Sequence, residues 1–297
     1  MHPILFEIPG LHWPVRAFGL MVMLGFLVGA HFLTGWGTKG SARPAEAKVG
    51  FSALPLWVLF GVVAGARALY VIVEISGNTD VGRGYREDPL SMLFVWQGGL
   101  VMYGGAIGGL LAGWLATRKY KLPLAHSMDL GVTAAFLGLS IGRIGCLLVG
   151  DDFGRIAADA HQSWPFPLVV HVPSPLPAGS LFGEENMGKV LYCTQMWMSM
   201  NAFLLFLIGR FWLLPRRRYA GQVAATLLLL YAFGRFGIEM FRGDSIRGLW
   251  FEGRISTSQL ISIGVALVTA LYLLLRLRKP QQPPEAAGGY APGQARA

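Results

Sequence analysis

Seven stretches of the chain are long and apolar enough to cross ~30 Å of hydrocarbon as helices. They fall at about residues 17–36, 54–75, 91–117, 126–149, 194–214, 221–241 and 258–277. The third is interrupted by the pair Gly98-Gly99. No internal repeat and no coiled-coil heptad is visible. The pattern predicts an all-α, polytopic integral membrane protein of about seven transmembrane helices. The first apolar run begins only after Arg16 and others follow it, so it reads as a mature first span, not a cleavable signal peptide.

Charge in the connections orients these spans. Lys39, Arg43 and Lys48 join the first two, and Arg118, Lys119 and Lys121 join the third and fourth. Arg216, Arg217 and Arg218 join the fifth and sixth, and Arg276, Arg278 and Lys279 follow the seventh. All four groups lie on one side of a seven-span chain. The opposite side mixes acids with its bases, as in Asp80, Arg83, Arg86, Glu87 and Asp88. The positive side is expected to be cytoplasmic, with the N-terminus out and the C-terminus in. Residues 1–279 are expected to form a transmembrane domain. An outer-side loop or cap at about 151–192 is rich in proline and holds Trp164, Phe166 and Phe182. Residues 280–297, rich in Pro, Gly, Ala and Gln, read as a disordered cytoplasmic tail.

Composition agrees. Only 14% of the 297 residues are charged, against about 25% in soluble domains. Hydrophobic residues make up 54%, and mean hydropathy is +0.50. This excludes a disordered chain and a disulfide-stapled secreted scaffold. The net charge of +9 does not point to nucleic acid, because the bases sit at the ends of apolar runs. Cys146 and Cys193 read as small buried residues, and no metal-ligand cluster stands out.

Three arginines fall inside spans: Arg67, Arg143 and Arg235. Each costs about 2.5–3.5 kcal/mol on insertion scales and so needs a reason. Tyr231, Arg235, Glu239 and Arg242 lie within about 80° of one helix face at ~100° per residue. Arg67 shares a face with Tyr70 and Glu74. A single Arg–Glu pair can simply join helices. Three arginines against so few intramembrane acids (Glu239 central, Glu74 and Asp129 near span ends) imply instead a site for an anion, such as a lipid phosphate.

Glycines mark two further segments. Gly105, Gly109 and Gly113 have the spacing of a close helix-packing face. Gly98-Gly99, just ahead of Tyr103, would open the helix, which is tolerated at membrane depth only in a cavity or inside protein. The run Gly142 to Arg155 places Arg143 between Gly142 and Gly145, then an acidic turn ending in Gly154.

That last run resembles the signature of the bacterial prolipoprotein diacylglyceryl transferase family. The resemblance extends in order through Met1-His2-Pro3-Ile4, Phe18 to Met21, Gly65 to Arg67 with Tyr70, Trp96 to Gly105, Tyr231 to Arg242, and Ser258-Gln259. The chain departs from the family at Tyr103, where His is common, at Cys146 for Asn and at Phe18 for Tyr. The stretch Tyr192 to Met198 keeps only Gln195 of the usual run. It therefore reads as a divergent member.

The resemblance implies a membrane transferase of the bacterial cytoplasmic (inner) membrane, without cofactor or metal. Its partners would be phosphatidylglycerol and prolipoprotein signal peptides carrying a lipobox cysteine. The diacylglyceryl group moves to that thiol as a thioether, and glycerol-1-phosphate leaves. Carried over by motif, Arg143 binds the lipid phosphate, with Gly142, Gly145, Gly154, Gly98, Gly99 and Arg242 around it. Arg235 stabilises the departing phosphate, and Glu239 orients Arg235 or takes the thiol proton. Tyr103 donates a hydrogen bond or relays a proton, and Tyr231 completes the polar face. Arg67 serves equally well as a structural brace. The rival readings are a lipid-binding paralogue, non-catalytic or with altered substrate, and a lipid or anion transporter, although a transporter often shows a two-fold repeat.

Overall fold

The computed structural model describes residues 2–8, 13–39, 41, 43–243, 248–250 and 255–277. The expected tail at 280–297 and Met1 lie outside them. By internal contacts the chain divides into two compact units, Leu33–Ser127 and Met1–Phe32 with Met128–Ala297.

In the first unit, α2 (Pro44–Ser76) and α4 (Met102–Lys119) run antiparallel, with the short α3 (Asp80–Glu87) between them in sequence. Pro44 opens α2 where its missing N–H costs nothing. The helix therefore starts ten residues before the apolar run. Gly61 and Gly65 of α2 meet Gly108 and Gly104 of α4 so closely that a Cβ would strike the opposing backbone. The predicted stripe turns one position away: Gly105 and Gly109 face Val62, and Gly113 faces Val58. Residues 89–97 form two 3-10 turns. Gly98 and Gly99 follow at φ +88° and +71°, which prevents the third span from being one continuous helix.

In the second unit, α1 (Ala17–Lys39) crosses α5 (Leu124–Val149) at Gly25 against Gly138, with Gly29 on Ala134 and Gly145 on Met21. The next apolar stretch is α6 (Thr194–Leu207), a π turn at Ile208–Leu213, and α7 (Leu214–Arg216). α8 (Gln222–Glu239) and α9 (Thr257–Leu277) follow. Ser256 and Gln259 close a reciprocal capping box at the start of α9, with bonds of 2.9 and 3.2 Å. At the other end of α5, Asp129 is fully buried. It takes hydrogen bonds from Arg217 Nη1 and from the Gly221 and Ala224 amides, each at 2.9 Å.

Among the described residues, three two-stranded antiparallel pairs complete the fold, none of them anticipated from the hydropathy pattern. They are β1 (Ile4–Ile8) with β2 (Trp13–Arg16), β3 (Val169–His171) with β4 (Val190–Tyr192), and β5 (Leu249–Trp250) with β6 (Ile255–Ser256). Within the 151–192 connection, Val170, Val172, Phe182 and Leu191 bury a small core with Cys193. Among the described residues, five helical stretches are long and apolar enough to cross a membrane: α1, α2, α5, α6 to α7, and α9. α4 and α8 have 18 residues each.

Candidate active site

The second unit brings three arginines to one place. α5 ends at Val149 because Gly150, at φ +79°, turns the chain back, and the Gly150 and Asp151 amides both donate to the Cys146 carbonyl at 2.9 Å. Asp152 follows with a left-handed φ of +55°, a conformation Asp tolerates better than most residues. The reversal aims its carboxylate at the last turns of α5. There Oδ2 pairs with Arg143 Nη1, and Oδ1 takes a hydrogen bond from Arg242 Nη2 at 2.6 Å. One carboxylate thus links an arginine of α5 to one just past the end of α8.

The third arginine is held beside them. Arg235 Nη2 pairs with Glu239 Oε2 at 2.9 Å, one helical turn on, and Arg235 Nε donates to Ser258 Oγ at 2.8 Å. Its remaining nitrogen, Nη1, is buried and has no hydrogen-bond partner among the described residues. A buried donor left open is costly, so this guanidinium keeps a donor in reserve. Burial disfavours the Asp152 carboxylate, but Arg143, Arg242 and, more weakly, Arg235 hold its pKa below the ordinary carboxylate value. Tyr231, one turn before Arg235, packs its ring on Phe136 at 5.3 Å.

The acids counted within the spans are too few for these arginines because Asp152 belongs to the acidic turn after them. The residue lies beyond the span, and only the turn at Gly150 returns it to Arg143. Its backbone is fixed from α6. Thr194 Oγ1 donates to the Asp152 carbonyl at 2.8 Å, and Gln195 Nε2 donates to the Asp151 carbonyl at 3.0 Å. Gln195 carries part of the resemblance and Asp152 part of the acidic turn, whereas nothing in the pattern singles out Thr194.

The glycines of the signature have packing tasks here. Gly154 threads between the carbonyls of Tyr192 and Phe241, pairing across to Arg242, where a Cβ would collide with backbone. Gly145 allows α1 to approach, and Gly142 is only in ordinary contact with Val22. Cys146 Sγ lies 3.9 Å from Arg143 Nη1. Burial pushes the Cys193 thiol up to about 11, which leaves it unreactive at neutral pH.

In the first unit, Arg67 is buried and caged by carbonyls. It donates to Met92, Gly98 and Ser91 oxygens at 2.8, 2.7 and 3.0 Å, and the Tyr70 and Tyr85 rings flank it at 5.5 and 5.4 Å. Arg67 is therefore a brace, the second of its two expected roles, and Gly98 and Gly99 present their carbonyls to it. Tyr103 stands in the first turn of α4, 39% exposed.

The family model for prolipoprotein diacylglyceryl transferase matches residues 3–275. The chain belongs to that family. A Geobacter sulfurreducens relative named phosphatidylglycerol–prolipoprotein diacylglyceryl transferase is 30% identical over 285 residues, 95% of this chain and 97% of its own. Relatives of the same name from Gloeobacter violaceus and Clostridium tetani are 29% and 28% identical, over 95% and 90% of this chain and 96% and 95% of theirs. This member of a transferase family therefore pairs long apolar helices with a polar cluster at Arg143, Asp152, Arg235, Glu239 and Arg242. Among the described residues, no group of three His, Cys, Asp or Glu side chains is placed to hold a metal ion.

Proposed function

We propose that the chain is a phosphatidylglycerol–prolipoprotein diacylglyceryl transferase and that the Arg143–Arg235–Arg242 cluster is its phosphate site. The observation that carries the reading is the open Nη1 donor of Arg235 beside two arginines joined by one carboxylate. The thiolate of a prolipoprotein lipobox cysteine attacks the glyceryl carbon bound to phosphate. A C–S bond forms, the C–O bond breaks, and glycerol-1-phosphate departs. The phosphate goes from one negative charge as a diester to two as a monoester, while the thiol proton is given up. Donors fixed before the reaction stabilise that growing charge more than the ground state. The nucleophile belongs to the substrate, so the enzyme needs no reactive thiol of its own.

In this reading Arg143 and Arg242 hold the lipid phosphate and Arg235 meets the departing oxygen. Glu239 orients Arg235 or accepts the thiol proton, and Tyr231 completes the polar lining. Gly142, Gly145 and Gly154 shape the backbone around it. Residues 1–279 act as one transmembrane domain of the bacterial inner membrane, with seven spans, the N-terminus out and residues 151–192 as an outer cap.

The test is purified protein in lipid nanodiscs with phosphatidylglycerol and a lipobox peptide. Thioether product and glycerol-1-phosphate are expected in equal amounts. Arg143→Ala should lower the rate by at least about 10²-fold, as loss of one charge stabiliser does elsewhere. Arg143→Lys should not restore it, because an ammonium lacks the planar fork. Lipid binding without thioether formation by the unmodified protein would overturn the transferase reading. Unchanged turnover by the Ala variant would overturn the role of Arg143.

A further inference from the structure

We propose that Asp152 is a positioning residue for diacylglyceryl transfer: its carboxylate locks Arg143 and Arg242 into a single two-armed phosphate receptor. This inference rests on the transferase reading. Each oxygen of Asp152 takes one guanidinium, Arg143 from α5 and Arg242 from beyond α8. The two arginines share no helix, so their separation depends on what joins them. Long side chains fixed at one end only lose much of their advantage, since a misplacement of about 1 Å can cost about 10²-fold in rate.

Asp152 is itself immobilised. The Thr194 hydroxyl donates to its carbonyl at 2.8 Å, and its amide donates to the Asp151 carboxylate at 2.9 Å. The neighbouring carbonyl is held by Gln195 at 3.0 Å. The start of α6 is thereby connected, through the turn, to the two guanidiniums. A resident carboxylate between arginines also invites the opposite reading, that it competes with the phosphate and weakens lipid binding. The two differ in sign. A clamp supports kcat and leaves KM for the lipid nearly unchanged, whereas a competitor raises KM.

The experiment measures kcat and KM for phosphatidylglycerol in nanodiscs with saturating lipobox peptide. The proteins are the unmodified chain, Asp152→Asn, Arg242→Ala, the double variant and Thr194→Val. For Asp152→Asn the proposal expects kcat to fall by roughly 10- to 100-fold, the range that loss of alignment produces, with little change in KM. In the Arg242→Ala background the same change should cost much less, because the clamp then has one arm left. Thr194→Val keeps the carboxylate and loosens its backbone, so it should lower kcat in the same direction by less. If the Asn variant does not fold, the Thr194→Val result decides alone.

Wild-type kcat in Asp152→Asn or Thr194→Val overturns the proposal. So does a lower KM with unchanged kcat, or full additivity of Asp152→Asn with Arg242→Ala. Failure of the unmodified chain to transfer at all overturns the underlying reading instead.

Discussion

A carboxylate held by two guanidiniums titrates differently from a free one, and Asp152 shows in which direction. Against burial, Arg143, Arg242 and Arg235 favour its charged form, so its folded pKa lies below the unfolded value of about 3.9. A lowered folded pKa contributes stability that is present above the unfolded value and lost as pH falls through the folded one. The difference in melting midpoint between the unmodified protein and Asp152→Asn should therefore stay constant from neutral pH to about 4 and shrink only below that. A gap that shrank between pH 7 and 5 would contradict the ion pairing. Tyr103 poses a separate question at this scale, since it occupies a slot often held by His in the family. A phenol is a poorer general base than an imidazole. If its hydroxyl donates to substrate, Tyr103→Phe should lower turnover while lipid binding persists. Tyr103→His should keep activity and move the pH–rate profile towards lower pH. Wild-type profiles in both variants would remove Tyr103 from the site.

The helices could be read from the sequence wherever hydropathy alone decides. The starts of α6 and α9 fall within a residue of their expected positions, and Ser256 caps α9. Elsewhere local chemistry overrode hydropathy. Pro44 opened α2 early, and Gly98-Gly99 shortened the third span. The arginines of the site were legible as misplaced charges. Asp152 was not, because its effect depends on a reversal at Gly150 that no periodicity records. Arg217 is a similar case. In the sequence it is one of three loop bases, yet in the fold it is buried against Asp129. That carboxylate also caps the start of α8 through the Gly221 and Ala224 amides, so it ties α5 to the turn before α8. Asp129→Asn leaves the Arg217 charge buried without its carboxylate, which elsewhere costs about 3–5 kcal/mol. The expected outcome is a much lower melting midpoint, partly regained when Arg217→Met is added. An Asn variant as stable as the unmodified protein would mean the pair contributes nothing.

Across the molecule, contacts inside each unit constrain how the chain crosses a membrane. Gly61–Gly108 and Gly65–Gly104 make α2 and α4 antiparallel, and Gly25–Gly138 with Gly29–Ala134 does the same for α1 and α5. The Arg217–Asp129 pair puts the start of α5 and the end of α7 on one side. Thr194 with Asp152 puts the end of α5 and the start of α6 on the other. Arg235 with Ser258 joins the last turns of α8 to the start of α9, and Arg242 with Asp152 joins those turns to the second side. Each helix of this unit therefore reverses the last, as successive spans must. The sign of the two sides then follows from charge: Arg216 and Arg218 are exposed near the first, and the proline-rich cap with β3 and β4 follows the second. With basic loops retained in the cytoplasm, the cap should face outward. Single cysteines at exposed Ala178 and Arg218 test this, because Cys146 and Cys193 are buried and should not compete for the reagent. In intact cells a membrane-impermeant maleimide should label Ala178→Cys at once and Arg218→Cys only after the membrane is opened. The reverse pattern would invert the topology and place the phosphate site at the wrong leaflet for an exported thiol.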